Sequence, residues 1–235
     1  MHKVVGIIAP SGDELAPIEK SMGAVARTCR AGLEFLSGML NGVKCVAVLS
    51  GVCKVSVAIA AQVLIDIYAV DAIIACGVAG GMDRRLKIGD TAIATEIAYH
   101  DVDDAILRDY HSFMKVPRFY ADEYMVLLMR EAVDAHEFEQ PVYFGVVVTG
   151  EASVETNGRA EINDRFKPLC VDMETAAAAH VCYTNRKPFA AIRSISDVED
   201  NTGMATFEQN CAMAAERSTS VLKALLKRMS RENGI

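Results

Sequence analysis

The chain has no basic surplus, no paired cysteine motif and no long apolar run, and each absence removes a class of function. Lysine and arginine number 24 against 31 aspartates and glutamates, a formal net charge of −7. A protein that grips nucleic acid or an anionic membrane neutralises phosphates with clustered cations, so neither partner is expected. The one basic run, residues 223–231, falls on the predicted last helix and reads as a solvated face. Seven cysteines are present, and none stands in a C-x-x-C pair. Most lie inside apolar stretches, so buried, reduced thiols in a cytoplasmic protein are expected. The first apolar run, Val4-Val5-Gly6-Ile7-Ile8, is shorter than the apolar core of a secretion signal, and no later run approaches membrane-spanning length. Repeats, low-complexity tracts and linkers are also missing, which leaves one domain over residues 1–235 as the expectation.

What is present is a chain that is 51% hydrophobic and 23% charged, enough for a large core. Short β-branched runs alternate with longer helical patterns. Residues 4–9, 43–49, 72–76, 91–99, 142–148, 169–172 and 189–195 predict strands, and residues 25–40 a β-meander. Helices are predicted over residues 13–22, 54–68, 122–136, 157–166, 174–182 and 207–229. Strands apolar on both faces, interleaved with helices, imply an α/β sheet covered on both sides. The meander makes that sheet mixed rather than purely parallel. Residues 101–117 form the loosest segment, expected as a long loop near a site or an interface.

Two stretches place acidic residues just after apolar strands: Val171-Asp172-Met173-Glu174-Thr175 and Ile192-Arg193-Ser194-Ile195-Ser196-Asp197. In open α/β sheets, ligands bind at the carboxyl ends of strands. Asp197 can cap the next turn, or it can act as a general acid that protonates a leaving purine. The second role needs burial to hold its proton near neutral pH. Glu174 can simply favour a helix N-terminus, or accept hydrogen bonds from ribose hydroxyls and stabilise an oxocarbenium-like transition state. Arg193, in an apolar strand, is expected to pair with one of these carboxylates, since a lone buried charge is costly. Glu14 is a helix-start acid or a base that activates water. Gly77-Val78-Ala79-Gly80-Gly81 reads as a tight turn, or as backbone that a sugar can approach closely. It fits neither a Walker A loop nor G-x-G-x-x-G. His100-Asp101 has no partner ligands at metal-binding spacing.

Together, G-x-x-G-G, V-D-M-E-T and R-S-I-S-D in this order resemble the 5′-methylthioadenosine/S-adenosylhomocysteine nucleosidases of the nucleoside phosphorylase superfamily. The resemblance covers nearly the whole chain. It implies a three-layer α/β/α sandwich with a mixed central sheet, a small-molecule nucleoside substrate, no metal and no cofactor. It also implies a homodimer whose partner subunit helps to close the 5′-substituent pocket. By the same resemblance Glu14 is the general base and Asp197 the acid that protonates purine N7. Met173 and Glu174 bind ribose, Arg193 stands near the water and that glutamate, and the Val154 backbone meets the base. Phe207 walls the 5′ side, Gly80 lines the ligand, and Ser153 and Ser196 complete the binding set.

Three departures bear on substrate range. Val78 stands where the family has serine. Ser153 replaces an aromatic over the adenine, a stacking contact worth about 1 kcal/mol. Asp104 and Ser11 occupy positions of the 5′ region where an apolar residue and a methionine are usual, and an inward Asp104 would disfavour an apolar 5′ tail. The expected reaction is hydrolysis of the N-ribosidic bond of 5′-substituted adenosines. The first rival is phosphorolysis, disfavoured because the strand end Ala75-Cys76-Gly77-Val78 offers no arginine or serine hydroxyl and Glu14 would repel phosphate. A second is a nucleoside-binding protein without turnover, which would not need both an acid and a base.

Overall fold

A computed structural model of the chain describes residues 4–111, 114, 116–154, 156–200 and 203–232. Its elements run β1 (Val4–Ala9), α1 (Gly12–Ser21), β2 (Gly23–Arg30), β3 (Leu33–Leu40), β4 (Val43–Leu49), α2 (Lys54–Asp66), β5 (Ala72–Gly81) and β6 (Thr91–Tyr99). They continue with α3 (Asp104–Asp109), β7 (Phe119–Tyr120), α4 (Glu123–Asp134), β8 (Val142–Thr149), α5 (Thr156–Phe166), β9 (Cys170–Asp172), α6 (Thr175–Thr184), β10 (Phe189–Asp197) and α7 (Met204–Glu232).

The sheet is mixed, as expected, but it is not an open sandwich layer. β5 pairs in parallel with β10 and antiparallel with β9, and the path β10–β6–β8–β9 joins those two strands. Five strands therefore close into a ring. From β5 the sheet also extends outward through β1, β4, β3 and β2, the last two being the anticipated meander. Alternating side chains point to opposite faces of a strand, which divides the core in two. Ile8, Ile73 and Ala75 pack under α2 and α6, with Val57, Leu64 and Ala176–Ala179. Val5, Ile7, Ile74 and Cys76 pack under α1, α4 and α7, with Ile18, Met125 and Leu225. Helices cover both faces; the layer between them closes on itself.

Two expectations about local structure are corrected. Gly77–Gly81 is not a turn: β5 runs straight through it, with Gly77 opposite Arg193 and Gly80 opposite both Asp197 and Val171. Glycine is needed here for closeness, because a Cβ on Gly77 would stand 2.1 Å from Glu14 Oε1 and 2.6 Å from Arg193 Nη1. The expected long loop of residues 101–117 contains α3, started by Asp103, whose carboxylate accepts from the Ala105 amide at 2.7 Å. Residues 112, 113 and 115 of that segment lie outside the described residues.

Candidate active site

The carboxyl ends of β1, β5, β9 and β10 converge on a cavity of about 380 Å³. Its inner end is a cluster of three carboxylates around one guanidinium. Arg193 is fully buried on β10, and its Nε lies 2.8 Å from Asp172 Oδ2 and 2.9 Å from Thr175 Oγ1. Asp172 also accepts from the Glu174 and Thr175 amides at 3.2 and 3.1 Å and from Thr149 Oγ1 at 2.5 Å. It thus takes the helix-capping role at the start of α6. That frees Glu174, whose side chain makes no cap hydrogen bond. Its carboxylate turns away and accepts from the Cys53 amide at 3.0 Å. Cys53 reaches this position with φ of +76°, a left-handed conformation that costs a non-glycine residue energy.

Glu14 enters from the opposite side. Ser11 and Glu14 form a capping box at the start of α1, with the Ser11 amide donating to Glu14 Oε2 at 2.9 Å. The other oxygen accepts the Val78 amide at 2.8 Å and lies 3.7 Å from Arg193 Nη1. Arg193 Nη1 and Nη2 make no hydrogen bond among the described residues. Burial pushes the Glu14 carboxyl above its ordinary value, opposed by the charge of Arg193. Glu174 is pushed up to about 7, first by burial and next by the charge of Asp172.

The outer end is more open. Asp197 closes β10 with its side chain 17% exposed; Ser196 Oγ donates to its Oδ1 at 2.8 Å, and Arg159 Nη2 lies 3.5 Å from its Oδ2. Ser153, Val154 and Met204 also line the cavity, and Phe207 lines it beside Val78. Among the described residues no group of three or more His, Cys, Asp or Glu is placed to hold a metal ion.

The profile of the phosphorylase superfamily matches residues 4–227. The chain belongs to the phosphorylase superfamily. Solved structures agree across nearly all of its length. A 5′-methylthioadenosine/S-adenosylhomocysteine nucleosidase from Neisseria meningitidis, in complex with methylthio-immucillin-A, is 30% identical, covers 96% of this chain and 99% of its own, and superposes with a TM-score of 0.87. An S-adenosylhomocysteine nucleosidase from Streptococcus pyogenes, in complex with 5-methylthiotubericidin, is 27% identical with 97% of both chains covered and a TM-score of 0.88. A nucleosidase of the first kind from Colwellia psychrerythraea, in complex with adenine, is 29% identical over 96% of this chain and 95% of that one, with a TM-score of 0.86.

In this superfamily member, nine of the ten residues anticipated from sequence line the cavity: Glu14, Gly80, Ser153, Val154, Met173, Glu174, Ser196, Asp197 and Phe207. Arg193 does not; it lies behind the cavity wall and pairs with Asp172 rather than Glu174. Val78 lines it as well, but packs against Cys211, Ala214 and Phe207 while only its amide serves Glu14. Asp104 is not among the lining residues. It sits between Arg118 and Arg165, at 3.2 and 2.9 Å, which removes the expected conflict with an apolar 5′ tail within this chain. Sequence reasoning missed Asp172 and Arg159. The D-x-x-T spacing of Asp172 and Thr175 is a helix-start signature that marks the former as a cap. Arg159 lies on a weakly patterned helix and carried no signal.

Proposed function

We propose that this protein hydrolyses the N-ribosidic bond of 5′-substituted adenosines, methylthioadenosine and S-adenosylhomocysteine among them, releasing adenine and the thioribose. The observation that carries this reading is one cavity bounded by Glu14 and Glu174 at its inner end and Asp197 at its outer end. Glu14 takes a proton from a water molecule in the cavity beside its carboxylate, which the charge of Arg193, 3.7 Å behind it, holds in place. A carboxylate whose proton affinity is raised by burial suits that task. Glu174, in its ionised form, accepts from the ribose hydroxyls and stabilises positive charge as the C–N bond lengthens. Asp197 gives its proton to N7, so the purine leaves neutral. Water's oxygen joins the sugar carbon; one of its protons stays on the new hydroxyl and the other goes to Glu14, and proton exchange with solvent afterwards returns Glu14 and Asp197 to their starting forms. Met173 packs on the ribose, Val154 meets the base through its backbone, and Phe207 and Gly80 line the ligand.

Phosphorolysis is disfavoured by a specific contact. The Val78 amide, a donor that an anion would need, is occupied by Glu14 at 2.8 Å, and three carboxylates surround the single guanidinium behind it. A binding protein without turnover has no use for both Glu14 and Asp197. We read the chain as one domain and as a cytoplasmic homodimer. The exposed apolar side chains of Val55 and Ile59, one turn apart on α2, support the second copy, and seven free cysteines support a reducing compartment. No helix among the described residues is long and apolar enough to cross a membrane.

The test is to incubate purified protein with methylthioadenosine, with and without phosphate, and to follow adenine and sugar. Phosphate-independent release of free thioribose is expected. A requirement for phosphate with 5-methylthioribose 1-phosphate as product would replace hydrolysis by phosphorolysis. Light scattering of the same preparation reads the oligomer.

A further inference from the structure

Two carboxylates stand at the start of α6, and either could serve the amides that open the helix. The first amides of a helix have no partner within it, and a carboxylate beside them is favoured by their charge. Glu174 occupies the cap position itself, yet its side chain takes none of them. Asp172 Oδ1 accepts from the Glu174 and Thr175 amides at 3.2 and 3.1 Å. Thr149 Oγ1 accepts from the Ala176 amide at 2.9 Å while donating to that same Oδ1. Asp172 Oδ2 takes the Thr175 hydroxyl and, at 2.8 Å, Arg193 Nε. Five donors thus converge on a side chain that is 1% exposed. Only a group with acceptors and no donor satisfies them all.

With those amides taken, the Glu174 carboxylate has no partner to turn to within α6. Its Oε1 accepts from the Cys53 amide at 3.0 Å and its Oε2 from the Met173 amide at 3.2 Å. A carboxylate offers about four acceptor sites, so about two remain, and Glu174 lines the cavity. Two adjacent sugar hydroxyls need that many. We propose that Asp172 is a positioning residue for the ribose end: by holding the first amides of α6 it keeps Glu174 turned into the cavity. Its charge has a second effect. Glu174 faces Asp172 of β9, Glu14 of α1, Arg193 of β10 and the Cys53 amide ahead of α2. After burial, the Asp172 charge does most to push its carboxyl up to about 7, and Arg193 opposes the rise.

This inference rests on the nucleosidase reading, and the experiment separates the two. Adenine release from 5′-methylthioadenosine is followed across pH for the unaltered protein, Asp172→Asn, Asp172→Ala and Thr149→Val. Asparagine keeps an oxygen for the amides but loses the charge, so the acid limb of kcat/KM moves to lower pH by about one unit. Alanine empties the cap, and Glu174 turns back to fill it. KM then rises about ten- to a hundredfold, the worth of a charge-assisted hydrogen bond, against a smaller fall in kcat. A merely structural Asp172 changes only the amount of active protein, which lowers kcat and leaves KM and the limb in place; that result overturns the proposal. Where neither Asp172 variant folds, Thr149→Val decides: a raised KM keeps the proposal and an unmoved KM ends it. An unaltered protein that cleaves nothing overturns the nucleosidase reading instead. The pH dependence of urea unfolding then tests Asp172 by itself. The stability lost as pH rises through about 7 is lost at lower pH in Asp172→Asn, and an unmoved slope ends the proposal.

Discussion

The two ends of the cavity are built on opposite plans. The inner end holds three carboxylates and a guanidinium that are between 0 and 6% exposed, each fixed by strand ends and helix starts. The outer end holds one carboxylate, one guanidinium and a rim from the Ser153–Val154 segment and the start of α7, with Ser153 exposed to solvent. The inner end is thus organised around charge that is balanced by neighbouring side chains, since those groups are almost wholly buried. The outer end is organised around shape and hydrogen-bond sense. The difference teaches that an enclosed charge cluster and an open, shape-defining rim can be built from separate parts of the chain around one cavity.

The largest expected effects test whether both ends take part in turnover. Glu14→Gln and Asp197→Asn should each lower kcat by about 10²–10⁴-fold, the usual worth of a general base or acid, while a calorimetric titration still shows ligand binding. An unchanged rate in either variant would remove that end from the chemistry. The next effect is on stability. Arg193→Met leaves three buried carboxylates uncompensated and should lower the free energy of unfolding by about 3–5 kcal/mol in urea titrations. Arg159→Leu, at the outer end, should lower it by less than half as much. Equal losses would erase the distinction between the ends.

A pH experiment follows. The Glu174 carboxyl lies at about 7 in the folded protein against an ordinary 4.5, so the folded state binds the extra proton. Its stabilising contribution is therefore complete below about 4.5 and lost as pH rises through about 7. The unliganded protein should lose stability across that interval, and Glu174→Gln should flatten the slope. If Glu174 binds ribose in its ionised form, as proposed, kcat/KM should fall on the acid side near pH 7. The smallest effect belongs to the outer rim: Ser153→Phe restores an aromatic face and should tighten adenine about fivefold, roughly 1 kcal/mol, without touching the pH profile.

Legibility in the sequence follows the same division. Strand β4 and the first strand, β1, have the bounds that periodicity predicts, and the helix expected at residues 54–68 ends only two residues early. These elements are apolar enough for local pattern to decide them. The closing of the ring is not legible, because it depends on β5 pairing on both sides through a glycine run that local rules read as a turn. At the site, Glu14, Glu174 and Asp197 stand out because each carboxylate follows an apolar run. The division of labour inside Val171–Thr175 does not. Asp172 and Glu174 are two residues apart and chemically alike, and only the packing of Arg193 shows which of them is scaffold. Asp104 fails for a related reason, since its two arginines are 14 and 61 residues away.

The ring also bears on how this protein avoids growing edge to edge into extended sheets. Closed strands offer no row of unpaired amides and carbonyls to a stranger, so the long open margin of the sheet is β2. An unguarded margin of eight residues would be a template for growing aggregates. This one carries Arg27 and Arg30 and loses register between Gly23 and Ala26. A strand bent out of line, with Arg27 held in ion pairs to Glu19 and Glu34 along it, makes a second copy a poor continuation of the sheet.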